Sequence, residues 1–296
     1  MTGGTGLVGS EINSKYKISS RDADLRDRTG VEKLFKQISP KGVIHCAAKV
    51  GGLGANINQK SEFYHDNIMI NTNVLEVARL CGVKNLVSFL STCIFPDKVS
   101  YPLAVENIHS GPPHESNYAY AYAKRMLEVQ TRCYREQYGL NYSCIIPSNI
   151  YGINDNFNLA DGHVIPVLIH KCYLAKKNNS NFEVWGTGNP LREFVFAEDV
   201  ARVSEWVLEN YTGNTPVIVS SDEEVSIREL VDVIIQEMKF KGKVVWQKEM
   251  PDGQLRKPSD NSLLRSLMPE FSFTPLRDGI AKTVQDFEKN YKMKRK

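Results

Sequence analysis

The sequence predicts an α/β protein: a doubly wound, Rossmann-type parallel sheet with a smaller C-terminal substrate domain. Three observations carry this reading. Glycines recur at every third position in Met1-Thr2-Gly3-Gly4-Thr5-Gly6-Leu7-Val8-Gly9, a spacing that lets backbone N–H groups approach a diphosphate at the start of a helix. Up to residue 150, short apolar runs alternate with helix-periodic stretches, as in strands joined by crossover helices. The run Gly42-Val43-Ile44-His45-Cys46-Ala47-Ala48 is apolar except at His45, as a strand covered on both faces must be.

In chain order, the glycine loop should follow a strand, yet only Met1 and Thr2 precede it. That strand is central in a doubly wound sheet, so the expectation is a short apolar strand upstream of Thr2, between strands 15–20 and 85–92. Lys15 to Ser20 reads as the second strand. The following segment, Ser19 to Leu25, is where an adenosine ribose is met. An arginine there accommodates a 2′-phosphate and an acid favours a free 2′-hydroxyl, so Arg21 points to NADP while Asp22 and Asp24 keep NAD open. A helix is expected at 31–38. The small residues Ala47 and Ala48 suit close approach to a cofactor, and 49–54 reads as a flexible loop. A long helix at 61–81 precedes a strand at 85–90, which runs into Ser91-Thr92-Cys93. The helix of Tyr120 and Lys124 follows, then a strand at 142–146 and the turn Pro147-Ser148-Asn149.

After Tyr151-Gly152 the pattern changes. Helices are expected at 164–176, 198–210, 226–238 and 276–291, with strands at 182–185, 216–219 and 244–246. Ser226 and Glu229 have capping-box spacing. The domains are therefore 1–150 for the dinucleotide and 151–296 for the substrate, with 198–219 a candidate to return to the sheet.

Composition excludes several classes. The chain has 296 residues, 42% hydrophobic and 24% charged, with a net charge of +3, which is too small for a nucleic-acid binder. No apolar run reaches the length of a bilayer span and no signal peptide opens the chain. The basic end, Lys289 to Lys296, reads as a solvated tail. Cys46, Cys81, Cys93, Cys133, Cys144 and Cys172 form no C-x-x-C pair, so neither a metal site nor a disulfide framework is expected, and a reducing, cytoplasmic setting fits.

Tyr120 and Lys124 stand one helical turn apart on one face. A Tyr beside an ammonium is a plausible proton donor, because the cation favours the phenolate and lowers its pKa.

Six stretches extend this reading: AAKVGG (Ala47 to Gly52), LSTCIFP (Leu90 to Pro96), Gly111 to Lys124, DNFNLADGHVIP (Asp155 to Pro166), VWGTGNPLREF (Val184 to Phe194) and PDGQLRK (Pro251 to Lys257). In this order they resemble the extended short-chain dehydrogenase/reductases, and within them the epimerase–reductases that convert GDP-4-keto-6-deoxy-D-mannose to GDP-L-fucose. The likeness covers nearly the whole chain.

The resemblance implies NADPH-dependent 3,5-epimerisation and 4-reduction. Tyr120 would protonate the carbonyl oxygen, Ser91 would hydrogen-bond it, and Lys124 would tune Tyr120 and bind the nicotinamide ribose. Epimerisation needs a base and an acid on opposite ring faces, and the resemblance assigns these to Cys93 and His163, with Cys93 the base. A Cys base needs a depressed pKa, which an adjacent cation supplies. The implied cofactor contacts are Gly3, Thr5, Gly6, Leu7, Val8, Gly9, Arg21, Asp24, Leu25, Ala47, Ala48, Lys124, Pro147, Asn149, Ile150 and His163. On the GDP-sugar side they are Arg192 and Lys257 for the diphosphate, Asp252 for sugar or base, Trp185 for a flat contact, and Lys171. A homodimer is implied through the helices 61–81 and 117–138. The alternatives are a nucleotide-sugar 4-epimerase or 4,6-dehydratase, and a non-catalytic dinucleotide-binding redox sensor.

Overall fold

The computed structural model describes residues 1–250, 252 and 254–294. Pro251 and Gly253 of the PDGQLRK stretch, and Arg295 and Lys296 of the basic end, lie outside the described residues.

The first helix, α1 (Arg28–Ile38), starts where Asp27 accepts hydrogen bonds from the N–H groups of Thr29 and Gly30. It leads to β1 (Gly42–His45), the short α2 (Leu53–Asn58), the long α3 (Lys60–Leu80) and β2 (Asn85–Phe89). A 3-10 turn over Thr92–Ile94 follows, then α4 (Tyr118–Tyr138), which ends on Gly139 at φ 63°, a left-handed position that suits glycine. Next come β3 (Asn141–Pro147), β4 (Asn149–Tyr151), α5 (Val164–Asn178), β5 (Phe182–Trp185), β6 (Leu191–Phe196), α6 (Ala197–Asn210), β7 (Val217–Val219) and β8 (Glu224–Ser226). The chain continues through α7 (Ile227–Met238), β9 (Val244–Gln247), α8 (Ser262–Leu267) and α9 (Leu276–Lys289).

The main sheet runs β1-β2-β3-β7 and every pairing is parallel, with Gly42 opposite Asn85, Asn85 opposite Asn141, and Ile145 opposite Val217. Its apolar residues are buried on both faces. Val43, Leu86, Tyr142 and Ile146 pack towards α1, α3 and α4, while Ile44, Val87, Ile145 and Val217 pack with Val200, Val203 and Val207 of α6. A third core joins α5, α7 and α9 to β5 and β6. There β4-β6-β8 form a small mixed sheet and β5 pairs with β9.

Several expectations change. The run Lys15 to Ser20 is not a strand but a single parallel bridge at Ile18. The place beside the sheet lies between Ile18 and β1, not next to strand 85–92, and Thr2 bridges both Ile18 and His45. The backbone bonds are Thr2 N–H to Ile44 O (3.0 Å), Cys46 N–H to Thr2 O (3.3 Å) and Ile18 N–H to Met1 O (2.9 Å). Thr2 pairs as an isolated bridge rather than as part of a regular strand. The glycine loop does not open a regular helix: residues 4–11 form turns. Gly9 and the short run before Asn13 offer too few residues to outweigh helix nucleation. The expected flexible loop 49–54 runs into α2, and β4, β6, β8 and α8 have no counterpart in the sequence reading. The capping box at Ser226 and Glu229 forms as expected. No helix among the described residues is long and apolar enough to cross a membrane.

Candidate active site

The strand ends of the main sheet gather the glycine loop, the Ser91–Cys93 turn and the head of α4. A Cβ on Gly3, at φ +75°, would lie 2.8 Å from Ala47 N, so a side chain there would close the gap between loop and strand. One on Gly9 would lie 2.1 Å from Gly3 O. The N–H groups of Leu7, Val8 and Gly9 meet no acceptor among the described residues. This cradle of backbone donors fits a dinucleotide diphosphate. Val8 and Leu25 contribute side chains to the core, and the Leu25 carbonyl is held by Asn73, so these two can meet a cofactor only through backbone.

The acids beside Arg21 are already engaged. Asp22 accepts from the Ser19 N–H and hydroxyl, and Asp24 grips Arg26 through both oxygens, which holds its carboxyl at about 2. Arg21 is exposed and makes no ion pair among the described residues. An unpaired guanidinium beside two committed carboxylates suits a 2′-phosphate better than a free ribose diol.

The start of the loop is locked by a buried polar chain. His45 Nδ1 lies 2.7 Å from Thr2 Oγ1 and its Nε2 lies 3.1 Å from Asn71 Oδ1. Burial, then the charge of Lys124, push the imidazole down to about 3, so it stays neutral.

Tyr120 and Lys124 share the expected face of α4, with the Lys124 Nζ 5.8 Å from the Tyr120 ring centre. Lys124 is buried and donates to Phe89 O at 2.7 Å. Desolvation lowers it to about 8. The half-buried Tyr120 corrects the expectation of a lowered phenol. Burial, with Cys93 adding to it, pushes the phenol up, because the Lys124 ammonium is spent on a carbonyl rather than on the Tyr120 oxygen. Phe63 packs edge-on against Tyr120 at 6.3 Å, and a Cβ on Gly51 would come within 3.2 Å of Phe63.

Ser91 caps the 3-10 turn, its Oγ accepting from Cys93 N at 3.4 Å. Arg125 of α4 clamps the same turn, donating to Ile94 O at 2.6 Å and to Gly111 O at 2.7 Å. Burial raises the Cys93 thiol, against the expected depression; Ser91, Lys257 and Lys124 pull it back only partly. The nearness of Lys257 to Cys93 is invisible in the sequence, where they stand 164 positions apart. The segment after Lys257 is fixed by a backbone ladder, with Leu103 N–H to Pro258 O at 2.8 Å and Asp260 N–H to Leu103 O at 2.9 Å. Lys257 also senses Arg192, so these two cations sit in one region with Cys93. Glu193, next to Arg192 on β6, accepts from Ser259 N at 2.9 Å and is raised to about 7 by burial.

His163 is the N-cap residue of α5 and ends a loop anchored from four sides. Asn154 Nδ2 donates to Ser10 (2.9 Å), Gly52 N–H to Asp161 O (2.8 Å), Lys294 to Ile153 O (2.8 Å), and His170 Nδ1 meets Phe157 O (2.7 Å). Its Nδ1 stands 3.8 Å from Asp155 Oδ1.

The remaining predicted residues fall on several elements. Pro147 ends β3, buried, while Asn149 lies on β4 and donates to Glu193 O at 2.8 Å; Ile150 follows it half-buried, and Ala47 and Ala48 follow β1. Trp185 is 56% exposed, and the Lys171 ammonium lies 4.9 Å from its ring centre. Both Asp252 carboxylate oxygens accept from Thr187, so it holds the Gly186–Gly188 turn.

A nucleotide cradle at parallel strand ends, beside a Tyr–Lys helix, defines a class of dinucleotide-dependent enzymes. The model of the NAD dependent epimerase/dehydratase family matches residues 1–219, and the chain belongs to that family. Within it, the chain is similar to GDP-L-fucose synthase of Dictyostelium discoideum, 46% identical over 100% of this chain and 97% of the relative. It is 41% identical to the probable GDP-L-fucose synthase of Drosophila melanogaster, over 100% of this chain and 98% of that one. Among solved structures, the GDP-L-fucose synthetase of Naegleria fowleri bound to NADP superposes with a TM-score of 0.95 at 42% identity, covering 100% of this chain and 93% of that one.

Proposed function

We propose that this chain is an NADPH-dependent epimerase–reductase that converts GDP-4-keto-6-deoxy-D-mannose to GDP-L-fucose. The observation that carries the reading is whole-length similarity to GDP-L-fucose synthases combined with the clustering of Ser91, Cys93, Tyr120, Lys124 and Lys257. NADPH, when bound, supplies the hydride for C4 of the keto sugar. The Gly3–Gly9 backbone holds its diphosphate and Arg21 its 2′-phosphate. Cys93 removes the protons at C3 and C5, which the neighbouring 4-keto group acidifies, and Lys257 and Lys124 favour the thiolate this requires. His163 returns protons from the opposite ring face. Tyr120 then protonates O4, with Ser91 hydrogen-bonded to the same oxygen. Arg192 neutralises the GDP diphosphate, and Trp185 with Lys171 offers a flat, cationic contact.

The dinucleotide part is 1–150 with 198–219, supported by the pairing of β7 with β3; the rest binds the sugar nucleotide. A homodimer belongs to the same proposal, because the outer faces of α3 and α4 expose Tyr64, Tyr122 and Met126. A reducing, cytoplasmic setting fits six free cysteines. The test is stoichiometry. Purified protein with the keto sugar should consume one NADPH per GDP-L-fucose formed. Redox-neutral conversion would instead indicate a 4-epimerase or dehydratase, and no conversion at all a non-catalytic binder.

A further inference from the structure

Asp155 is a carboxylate with an unfinished set of partners. It is 4% exposed; its Oδ1 accepts from Asn156 N at 2.7 Å, and its buried Oδ2 has no hydrogen-bond partner. A buried carboxylate with one hydrogen bond is costly and calls for a counter-charge. Among the described residues, the basic side chain within ion-pair distance is His163, with Nδ1 3.8 Å from Oδ1. The loop between them is stiff. Asn158 Oδ1 accepts from Ala160 N at 2.8 Å, Asn156 Nδ2 donates to Asp161 Oδ1 at 3.0 Å, and Gly162 N–H donates to Asn158 O at 2.9 Å. A Cβ on Gly162 would lie 2.5 Å from Asn156 O, so the turn closes tightly just before His163. On the other side, a Cβ on Gly52 would lie 2.8 Å from Asp161 O, which explains the second glycine of AAKVGG. This construction fixes the loop backbone that carries both the aspartate and the histidine.

We infer that Asp155 is a positioning residue for His163: it holds the Nδ1 proton and balances the imidazolium, so that Nε2 carries the proton delivered to the sugar. This rests on the reading of His163 as the acid of the epimerisation. In the step, the Nε2–H bond breaks and its electron pair stays on the ring. The proton forms the new C–H bond at the enolate carbon, and the imidazolium becomes neutral while Asp155 keeps its charge. A separation of 3.8 Å in the free protein is compatible with a bond that tightens around substrate, as catalytic hydrogen bonds commonly do.

The test follows deuterium exchange at C3 and C5 of the keto sugar in heavy water, with wild type, Asp155→Asn and His163→Gln. Asp155→Asn should slow exchange about 10²-fold at saturating substrate, the low end of what a positioned acid contributes. KM and NADPH binding should stay near wild type, which a general loss of structure would not allow. Wild-type exchange in Asp155→Asn together with loss in His163→Gln overturns the role of Asp155 alone. Wild-type exchange in His163→Gln overturns the reading of His163 itself. Nitrogen NMR of the wild-type chain covers the case of a variant that does not fold. With the His163 signals identified by their loss in His163→Gln, the neutral ring should carry its proton on Nδ1; a ring protonated only on Nε2 refutes the inference.

Discussion

Acidification from pH 7 to pH 5 should expose two buried groups that act in opposite directions. His45 titrates at about 3 in the folded chain against 6.5 in its absence, because burial disfavours the charged ring. Below pH 6.5 the unfolded chain takes up a proton that the native chain refuses, so stability falls with pH by ~2 kcal/mol between pH 7 and 5. Glu193 is raised by burial to about 7 from 4.5. Between those values the native chain holds the extra proton, so stability rises as pH falls, by ~2 kcal/mol at most and ~1 after allowance for solvent screening. The two oppose each other, and wild type should show a shallow profile with a net loss of at most ~1 kcal/mol. Urea unfolding at pH 7, 6 and 5 separates them. Glu193→Gln should lose ~1–2 kcal/mol more than wild type on acidification, and His45→Gln ~2 kcal/mol less. Curves for both variants that run parallel to wild type would refute the neutral, buried His45 and with it the Thr2–His45–Asn71 lock under the glycine loop.

Arg21→Ala should weaken NADPH by ~1.5–3 kcal/mol in titrations, as for a hydrogen bond to a charged group, and leave NADH little changed; equal losses would remove Arg21 from the 2′-phosphate. Lys257→Met keeps the aliphatic stem and removes a cation beside Cys93, so iodoacetamide should alkylate Cys93 ~3–10-fold more slowly at neutral pH, whereas an unchanged rate would show that Lys257 does not act on the thiol. Gly52→Ala forces a methyl against Asp161 O. It should cost ~1–3 kcal/mol in unfolding experiments and slow exchange at C3 and C5; a neutral substitution would mean that the His163 loop is not braced there.

Much of the main sheet is legible because each strand declares itself locally. The apolar runs of β1, β2 and β3 need no partner to be recognised, and Ser226 with Glu229 marks a helix start from side chains alone. The short strands β4, β6 and β8 are hidden, since their residues become strands only through each other. Thr2 shows the same limit: its pairing depends on Ile18 and His45, which lie far along the chain. In the site, Tyr120 and Lys124 are visible as one helical face, but what Lys124 bonds to is not. The Phe89 carbonyl takes its ammonium, and the phenol moves opposite to expectation. Lys257 beside Cys93 and Asp155 beside His163 depend on loop closure, which the sequence does not encode locally: Lys257 is legible only as a diphosphate contact, and Asp155 only as one polar residue of its motif.

The most direct measurement follows the keto sugar with Tyr120→Phe in heavy water and NADPH. If one site epimerises with Cys93 and His163 and reduces with Tyr120, the variant should place deuterium at C3 and C5 at close to the wild-type rate while NADPH oxidation and GDP-L-fucose formation are lost. Exchange that disappears together with reduction would contradict the separation of roles.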